Sequence, residues 1–238
     1  MPESFLYILV GSLIVAALAL LGAVVLFLGE ERLRRMLPGL IGLAAGSLLG
    51  SALFHMLPTA AEHGDIQSTV LWVAIGFVAF LLLDFALRAR SRAATKPQVP
   101  LILIGDGLHN FAGGLSVGAI YLLDPSAGVS AWLAAVLHEI PQEMGDFGVL
   151  IDGGLRPAPA VGLNFLSALM FPLGALANYF TGGHVHLPVL AAVGAGSFVY
   201  LAIMILAIDI FKGRDTATRL FAVAAMGLGV LFQALIGH

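Results

Sequence analysis

The sequence is poor in charged side chains and has no cysteine. Its 238 residues include 11 lysine and arginine and 14 aspartate and glutamate residues, so 11% of the chain is charged, whereas a soluble domain usually has about 25%. So few charges cannot cover a water-facing surface, and disordered chains need far more of them. The net charge of −3 argues against a nucleic-acid partner because no basic face is available. Without cysteine there is no disulfide framework, no thiolate metal site and no thiol nucleophile.

Long apolar stretches take the place of the missing charge. Apolar residues make up 60% of the chain, and the mean hydropathy is +1.01. Because a membrane-spanning helix needs about 20 apolar residues, the pattern predicts an all-α membrane protein with eight transmembrane helices in one domain, residues 1–238. The predicted spans are 4–28, 38–58, 68–87, 100–122, 129–151, 158–180, 188–210 and 218–236.

The basic residues orient these spans. With eight spans, all 11 fall between spans one and two, three and four, five and six, or seven and eight. They are Arg32, Arg34, Arg35, Arg88, Arg90, Arg92, Lys96, Arg156, Lys212, Arg214 and Arg219. Because short loops rich in lysine and arginine stay cytoplasmic, both termini are predicted to be extracytoplasmic. Asp84 and Asp209 lie near cytoplasmic helix ends beside basic residues, and each is predicted to form an interfacial ion pair.

Small residues mark a packing surface on span two. Gly42, Gly46 and Gly50 recur every four residues, with Ser47 and Ser51 beside them. Small residues at this spacing let two helices approach closely in lipid. We therefore interpret the stripe as a helix-packing surface.

Spans four and five contain polar side chains where apolar ones are expected. These are Asp106, His109, Asn110, His138, Glu139, Gln142, Glu143 and Asp146. An ionisable group at the bilayer centre costs about 2.5–3.5 kcal/mol on the insertion scale, and such groups usually face a cavity on an ion or proton path. His138, Gln142 and Asp146 share one stripe of span five, and Glu139 and Glu143 form a neighbouring stripe about 100° away. Two polar stripes on successive helices can meet at one site.

Imidazole and carboxylate ligands without thiolate suit Zn²⁺, Fe²⁺, Mn²⁺, Co²⁺ or Ni²⁺. His109 and His138 supply two nitrogens, and His55, near the end of span two, is a candidate for a third. Asn164, alone in span six, either joins the site or bonds a neighbouring helix, and the sequence does not separate the two. The remaining histidines lie in predicted external segments and are interpreted as loop residues: His63, His184, His186 and His238.

At these residues the sequence resembles the ZIP (Zrt/Irt-like) family of divalent-metal transporters. Residues 105–111, GDGLHNF, resemble the helix-four motif, whose core is written HNFxDG. Residues 138–146, HEIPQEMGD, are similar to the helix-five motif HEIPHELGD of one large subfamily. Residues 55–58, HMLP, resemble the helix-two HxxP of that subfamily. With eight predicted helices, both termini predicted outside and polar motifs in helices four and five, the resemblance extends over the whole chain.

The resemblance implies transport of Zn²⁺ or a similar divalent metal toward the cytosol, across the plasma membrane or a bacterial inner membrane. It implies a 3+2+3 arrangement with inverted three-helix repeats around helices four and five, and a sliding, elevator-like movement. His109, His138 and Gln142 would form the primary metal site with His55 close by. Asn110 and Glu139 would belong to an adjacent second site. Glu143 is a further candidate ligand, and Asp106, Asp146 and Asn164 are assigned to the transport pathway or to support of the ligands.

The sequence departs from the family pattern at three points. Gly113 replaces the acid of the helix-four motif, and Gln142 replaces the second histidine of the helix-five motif. Residues 169–172, LMFP, lack the glutamate that bacterial relatives often have in helix six. Fewer charged ligands imply weaker metal binding or a shifted metal preference.

Two other functions compete with transport. A membrane sensor that binds metal without moving it would fit the changes at Gly113 and Gln142. An intramembrane zinc protease is suggested by residues 138–142, HEIPQ, which come close to the zinc-binding HExxH pattern but lack its second histidine. The expected partners are divalent metal ions and the lipid bilayer, and no prosthetic group is expected. The sequence leaves open whether two copies pair as a homodimer.

Overall fold

The computed structural model describes residues 2–27, 30–62, 65–90, 96–181, 187–205 and 215–236. These ranges are almost entirely helical and contain no strand. Within them the helices form eight consecutive stretches, as the apolar pattern predicts. Asp209, Arg92, Lys212, Arg214 and the four predicted loop histidines lie outside the described residues.

The helices follow one another along the chain with short connections. Helix α1 is Pro2–Ala17 and continues as a 3₁₀ helix, Leu18–Phe27; α2 is Glu30–Ser51 and continues through a π-helical turn, Ala52–Met56, into α3, Leu57–Glu62. Helix α4 is Ile66–Arg90, α5 is Gln98–Leu123 and α6 is Pro125–Asp152. Helix α7 is Pro157–Ala168, α8 is Met170–Thr181, α9 is Leu187–Ile205 and α10 is Thr216–Ile236.

Among the described residues, six helical segments are long and apolar enough to cross a membrane. They are Ser4–Val24, Glu31–Glu62, Ile66–Ala89, Pro157–Thr181, Leu187–Ile205 and Thr216–Ile236. Helices α5 and α6 are as long, with 26 and 28 residues, but they contain the polar side chains of spans four and five. The fold is that of a multi-pass membrane protein.

Two predicted spans differ from the helices in detail. Helix α2 begins at Glu30, so Arg32, Arg34 and Arg35 lie in its first turns and not in a loop. The sixth apolar stretch is interrupted at Leu169, where α7 ends and α8 begins. The length of an apolar run shows neither the early start of α2 nor the break at Leu169. The first turns of a helix can extend into the polar interface, and a short break leaves the apolar run intact.

Polar contacts hold the helix ends. The Asp84 carboxylate accepts one bifurcated hydrogen bond from Nε of Arg88, 2.8 Å from each oxygen, and one from the hydroxyl of Tyr200 at 2.6 Å. The ion pair predicted for Asp84 is confirmed. Lys96, just before α5, pairs with Asp152 at the end of α6, with Nζ to Oδ2 at 2.7 Å. The beginning of α5 and the end of α6 therefore lie at the same end of the molecule.

A tight turn makes α5 and α6 an antiparallel pair. The Asp124 carboxylate accepts hydrogen bonds from the backbone N–H groups of Ser126 and Ala127, and Pro125 occupies the first turn of α6. This is a favourable helix N-terminus, since the cap satisfies free N–H groups and proline needs no hydrogen bond there. Helix α5 also packs against α8 and α9, and α6 packs against α2.

Glycine lets the backbones of α2 and α10 touch. A Cβ atom at Gly42 would collide with the carbonyl oxygen of Ala222, and one at Gly46 with that of Met226. A Cβ at Gly50 would lie 2.6 Å from Cβ of Gln233. The packing surface predicted from the glycine spacing is confirmed, and its partner is α10.

We predict that Gly46→Ala destabilises the protein, because the added methyl group meets backbone that cannot rotate away. Overpacking of this kind costs about 1–3 kcal/mol. Gly227→Ala on α10 is the matched control, since nothing lies within 4 Å of a Cβ there. Thermal unfolding of the purified proteins in detergent measures the effect, and equal melting temperatures for the two variants would contradict the packing described.

Candidate metal centre

Two imidazoles and one carboxylate meet between α5 and α6. His109 lies on α5, and His138 and Glu139 lie on α6. One ligand atom from each of these residues lies within 4.8 Å of the others. Nε2 of His109 is 3.3 Å and Nε2 of His138 is 3.4 Å from Oε1 of Glu139. We call this buried set the imidazole group; its nitrogen and oxygen atoms are ligands that Zn²⁺ and similar metals accept.

His55 stands beside the imidazole group without being part of it. Its ring centre is 5.2 Å from that of His138 and 6.3 Å from that of His109. His55 lies in the π-helical turn Ala52–Met56, and single π turns occur often at functional sites because they redirect side chains. The residue is half-buried and lines the adjoining cavities, so it is placed at the entrance to the group.

A second set of ligand atoms consists of oxygen alone. Asp106 of α5 and Glu139 and Glu143 of α6 each offer an oxygen within 4.8 Å of the others. We call these three residues the oxygen group, and it shares Glu139 with the imidazole group. Three buried carboxylates this close repel one another unless protons or a cation compensate them. Two metal positions with a common carboxylate ligand are compatible with this arrangement.

Neutral side chains bond the carboxylates of the oxygen group. Nδ2 of Asn110 donates to Oδ1 of Asp106 at 2.8 Å, and Nδ2 of Asn164 donates to Oε2 of Glu143 at 2.5 Å. Gln142 donates a long hydrogen bond, 3.4 Å, from Nε2 to the same Oδ1 of Asp106. The structure thus places Asn110, Gln142 and Asn164 around the ligand groups as hydrogen-bond donors.

Within the described residues, several buried polar atoms at this centre make no hydrogen bond. They are Nε2 of His109, Oδ1 of Asn110, both oxygens of Glu139, Oε1 of Glu143, both oxygens of Asp146 and Oδ1 of Asn164. Buried polar atoms are rarely left without a partner. All but the His109 nitrogen are acceptor oxygens, and a cation satisfies such atoms. Asp146, although fully buried, belongs to neither ligand group.

Two small cavities adjoin the imidazole group. One, of about 100 Å³, is lined by His138 and Gln233 among others, and the second, of about 30 Å³, is lined by His109. His55 and Gly113 line both cavities. The first cavity has room for a few water molecules, and both His55 and His138 line it.

Three residues at the centre were not predicted from the sequence to belong to it. Ser167 donates to Oδ2 of Asp106 at 2.6 Å, Ser51 donates to Oε1 of Gln142 at 3.4 Å, and Gln233 donates to the carbonyl of His138 at 3.3 Å. Single serines are common at helix contacts in membranes, so nothing distinguished these two. Gln233 did offer a signal, because it is the one amide side chain in the eighth predicted span.

The fold is that of a multi-pass membrane protein, and its centre contains a buried set of side chains that could hold a metal ion. The sequence model of the ZIP zinc transporter family matches residues 90–237, more than half of the chain, including α5 and α6. The chain belongs to this family. Its members are transporters, so the protease interpretation of residues 138–142 is set aside.

Individual relatives match different lengths of the chain. Zinc transporter ZIP10 of Homo sapiens is 38% identical over 106 residues, which are 44% of this chain and 13% of that protein. Zinc transporter ZIP13 of Pongo abelii is 29% identical over 214 residues, 82% of this chain and 65% of that protein. Metal cation symporter ZIP14 of Xenopus tropicalis is 37% identical over 103 residues, 43% of this chain and 22% of that protein. The chain thus spans less than two thirds of each of these relatives.

Gly113 lies against the ring of Phe171 as well as beside the two cavities. A Cβ atom at this position would lie 3.0 Å from Cε2 of Phe171, a ring that is buried on α8. An acid at position 113, the residue type of the family motif, therefore requires the Phe171 ring to shift. The two positions are coupled in this chain by direct contact.

We predict that Gly113→Asp combined with Phe171→Leu binds Zn²⁺ more tightly than the wild-type protein, by about tenfold or 1.4 kcal/mol. The added carboxylate lines the cavity beside two imidazoles, and the smaller side chain makes room for it. Gly113→Asp alone should gain less. Calorimetric titration of the purified variants measures the affinities. Phe171→Leu is the control, and a double variant that binds no more tightly than this control would refute the prediction.

Proposed function

We propose that the protein transports divalent transition metal ions across the plasma membrane or a bacterial inner membrane toward the cytosol. Zn²⁺ is the first candidate substrate, followed by Fe²⁺, Mn²⁺ and Co²⁺. One observation supports this most strongly: the imidazole group and the oxygen group lie side by side, buried, and share Glu139. Membership of a family of transporters is the second support for this proposal.

The ligand chemistry favours borderline metals at the imidazole group. Two imidazole nitrogens and a carboxylate oxygen leave one position of a tetrahedral zinc site open. His55, or the side-chain oxygen of Gln142 after rotation of its amide, can fill that position. The oxygen group suits harder ions such as Mn²⁺. The named substrates of the relatives, zinc for ZIP10 and metal cations for ZIP14, agree with this range.

The order of residues along α5 and α6 suggests a direction. The cavities at His55 adjoin the imidazole group, and Asp106 and Glu143 lie further toward the helix ends that Lys96 and Asp152 join. Basic residues cluster at the end of the molecule where Lys96 and Asp152 lie. By the positive-inside rule, this end is the cytoplasmic one. In the proposal a metal ion passes His55, binds the imidazole group, and moves to the oxygen group.

The proposed membrane arrangement follows from this direction. Both termini would be extracytoplasmic, and α5 and α6 would be the central pair of a 3+2+3 arrangement in a single transporter domain. Asp146, one turn beyond Gln142 on α6, and Asn164, which bonds Glu143, would line or support the cytoplasmic half of the path.

Proteoliposomes with a metal-sensitive dye inside test the proposal. We predict uptake of Zn²⁺ above that of empty vesicles, and its loss in His109→Ala and in His138→Ala, because each removes a nitrogen ligand. His184→Ala is the control, since the sequence places it outside the spans. Metal binding without uptake would favour a sensor instead, and equal uptake by all three variants would refute the proposed site.

Glu139→Gln tests whether the two ligand groups share a carboxylate. We predict that affinity for both Zn²⁺ and Mn²⁺ falls by more than about 100-fold, beyond the loss typical of residues that only support ligands. Equilibrium dialysis with each metal measures the change. Glu62→Gln, an exposed acid at the end of α3, is the matched control. Loss of affinity for one metal alone would show that the groups are independent.

A further inference from the structure

Asp106 differs from the other acids of the centre in that both of its oxygens have hydrogen-bond donors. Oδ1 accepts from Asn110 at 2.8 Å and from Gln142 at 3.4 Å. Oδ2 accepts from the hydroxyl of Ser167 at 2.6 Å. Glu139, Glu143 and Asp146, by contrast, each have at least one buried oxygen that makes no hydrogen bond within the described part of the chain.

Counting lone pairs shows which oxygen of Asp106 is free to bind a cation. A carboxylate has about four acceptor positions, two on each oxygen. The two amide donors occupy both positions on Oδ1, whereas Ser167 occupies one of the two on Oδ2. Oδ2 therefore keeps an open lone pair, and its orientation is set by one short hydrogen bond.

We propose that Asp106 binds the cation of the oxygen group through Oδ2, and that Ser167 is a positioning residue for that oxygen. The inference rests on the proposed function, because it requires the oxygen group to bind a divalent metal. Ser167 acts through Asp106 and does not itself bind the metal. Hydrogen bonds of this kind hold a carboxylate ligand in the orientation that the metal needs.

Two residues of one turn of α7, Ser167 and Asn164, bond the acids of α5 and α6. Ser167 donates to Asp106 and the side chain of Asn164 donates to Glu143, while the Ser167 oxygen lies 2.9 Å from the backbone carbonyl of Asn164. The hydroxyl has one hydrogen for two acceptors. With Asp106 ionised, the hydrogen must point to Oδ2, since two bare oxygens 2.6 Å apart would repel. One turn of α7 thus holds Asp106 and Glu143 in a common arrangement.

The test compares Ser167→Ala with Ser197→Ala in the purified full chain. Ser197 is also buried, and its hydroxyl donates to the backbone carbonyl of Gly194 at 2.7 Å, but it belongs to α9 and contacts neither ligand group through that hydroxyl. Calorimetric titration with Mn²⁺ and with Zn²⁺ gives the affinities, and thermal unfolding reports whether each variant is folded. We expect Ser167→Ala to bind Mn²⁺ and Zn²⁺ about 10–100-fold more weakly than the wild type. Ser197→Ala should bind both metals like the wild type.

A double-mutant cycle separates positioning from general structural support. If Ser167 acts through Asp106, Ser167→Ala causes no further loss of affinity in a protein that already has Asp106→Asn. Two results would overturn this inference but leave the proposed function standing. One is a metal affinity of Ser167→Ala within about threefold of the wild type, and the other is losses of affinity that add in the double variant. Absence of metal binding by the wild-type protein would overturn the proposed function and this inference together.

Discussion

The structure depends on one constraint: four acids, Asp106, Glu139, Glu143 and Asp146, are buried in the interior of a membrane protein. Each ionised group there costs about 2.5–3.5 kcal/mol on the insertion scale unless a donor, a cation or water offsets it. Glu139 lies between two imidazoles, and hydroxyl and amide groups bond two of the other acids. Within the described residues the other buried oxygens of these acids make no hydrogen bond, and a cation would satisfy them.

The donors at this centre are neutral, and this has a chemical consequence. Serine, asparagine and glutamine side chains hold Asp106 and Glu143 in place. An arginine or lysine would neutralise a carboxylate permanently and compete with a metal ion for it. Neutral donors orient the oxygen atoms and leave their negative charge available. In the proposed function, such a centre binds a cation that is able to leave again, as transport requires.

Close helix packing sets the distances at the centre. Glycines on α5 and α8 let these helices touch, because a Cβ at Gly114 or Gly174 would collide with the backbone of the facing helix. Gly145 of α6 likewise contacts the backbone of Ala44 on α2. In the same contact region Phe171 occupies the space beside Gly113. The glycine at position 113 and the large ring of Phe171 on the neighbouring helix are thus parts of one packing arrangement.

The sequence alone determined the class of fold and identified most of the candidate ligand residues. Eight apolar stretches, the segregated basic residues and the polar stripes of spans four and five follow from hydrophobicity and helix period, which are local properties. The tertiary structure decided which polar side chains meet. It grouped Glu139 with both histidines and with Asp106 and Glu143, placed His55 at the entrance, and brought in Ser51, Ser167 and Gln233 from α2, α7 and α10. Those contacts join residues distant in the chain, and the rotation and depth of each helix that produce them are set by packing against its neighbours.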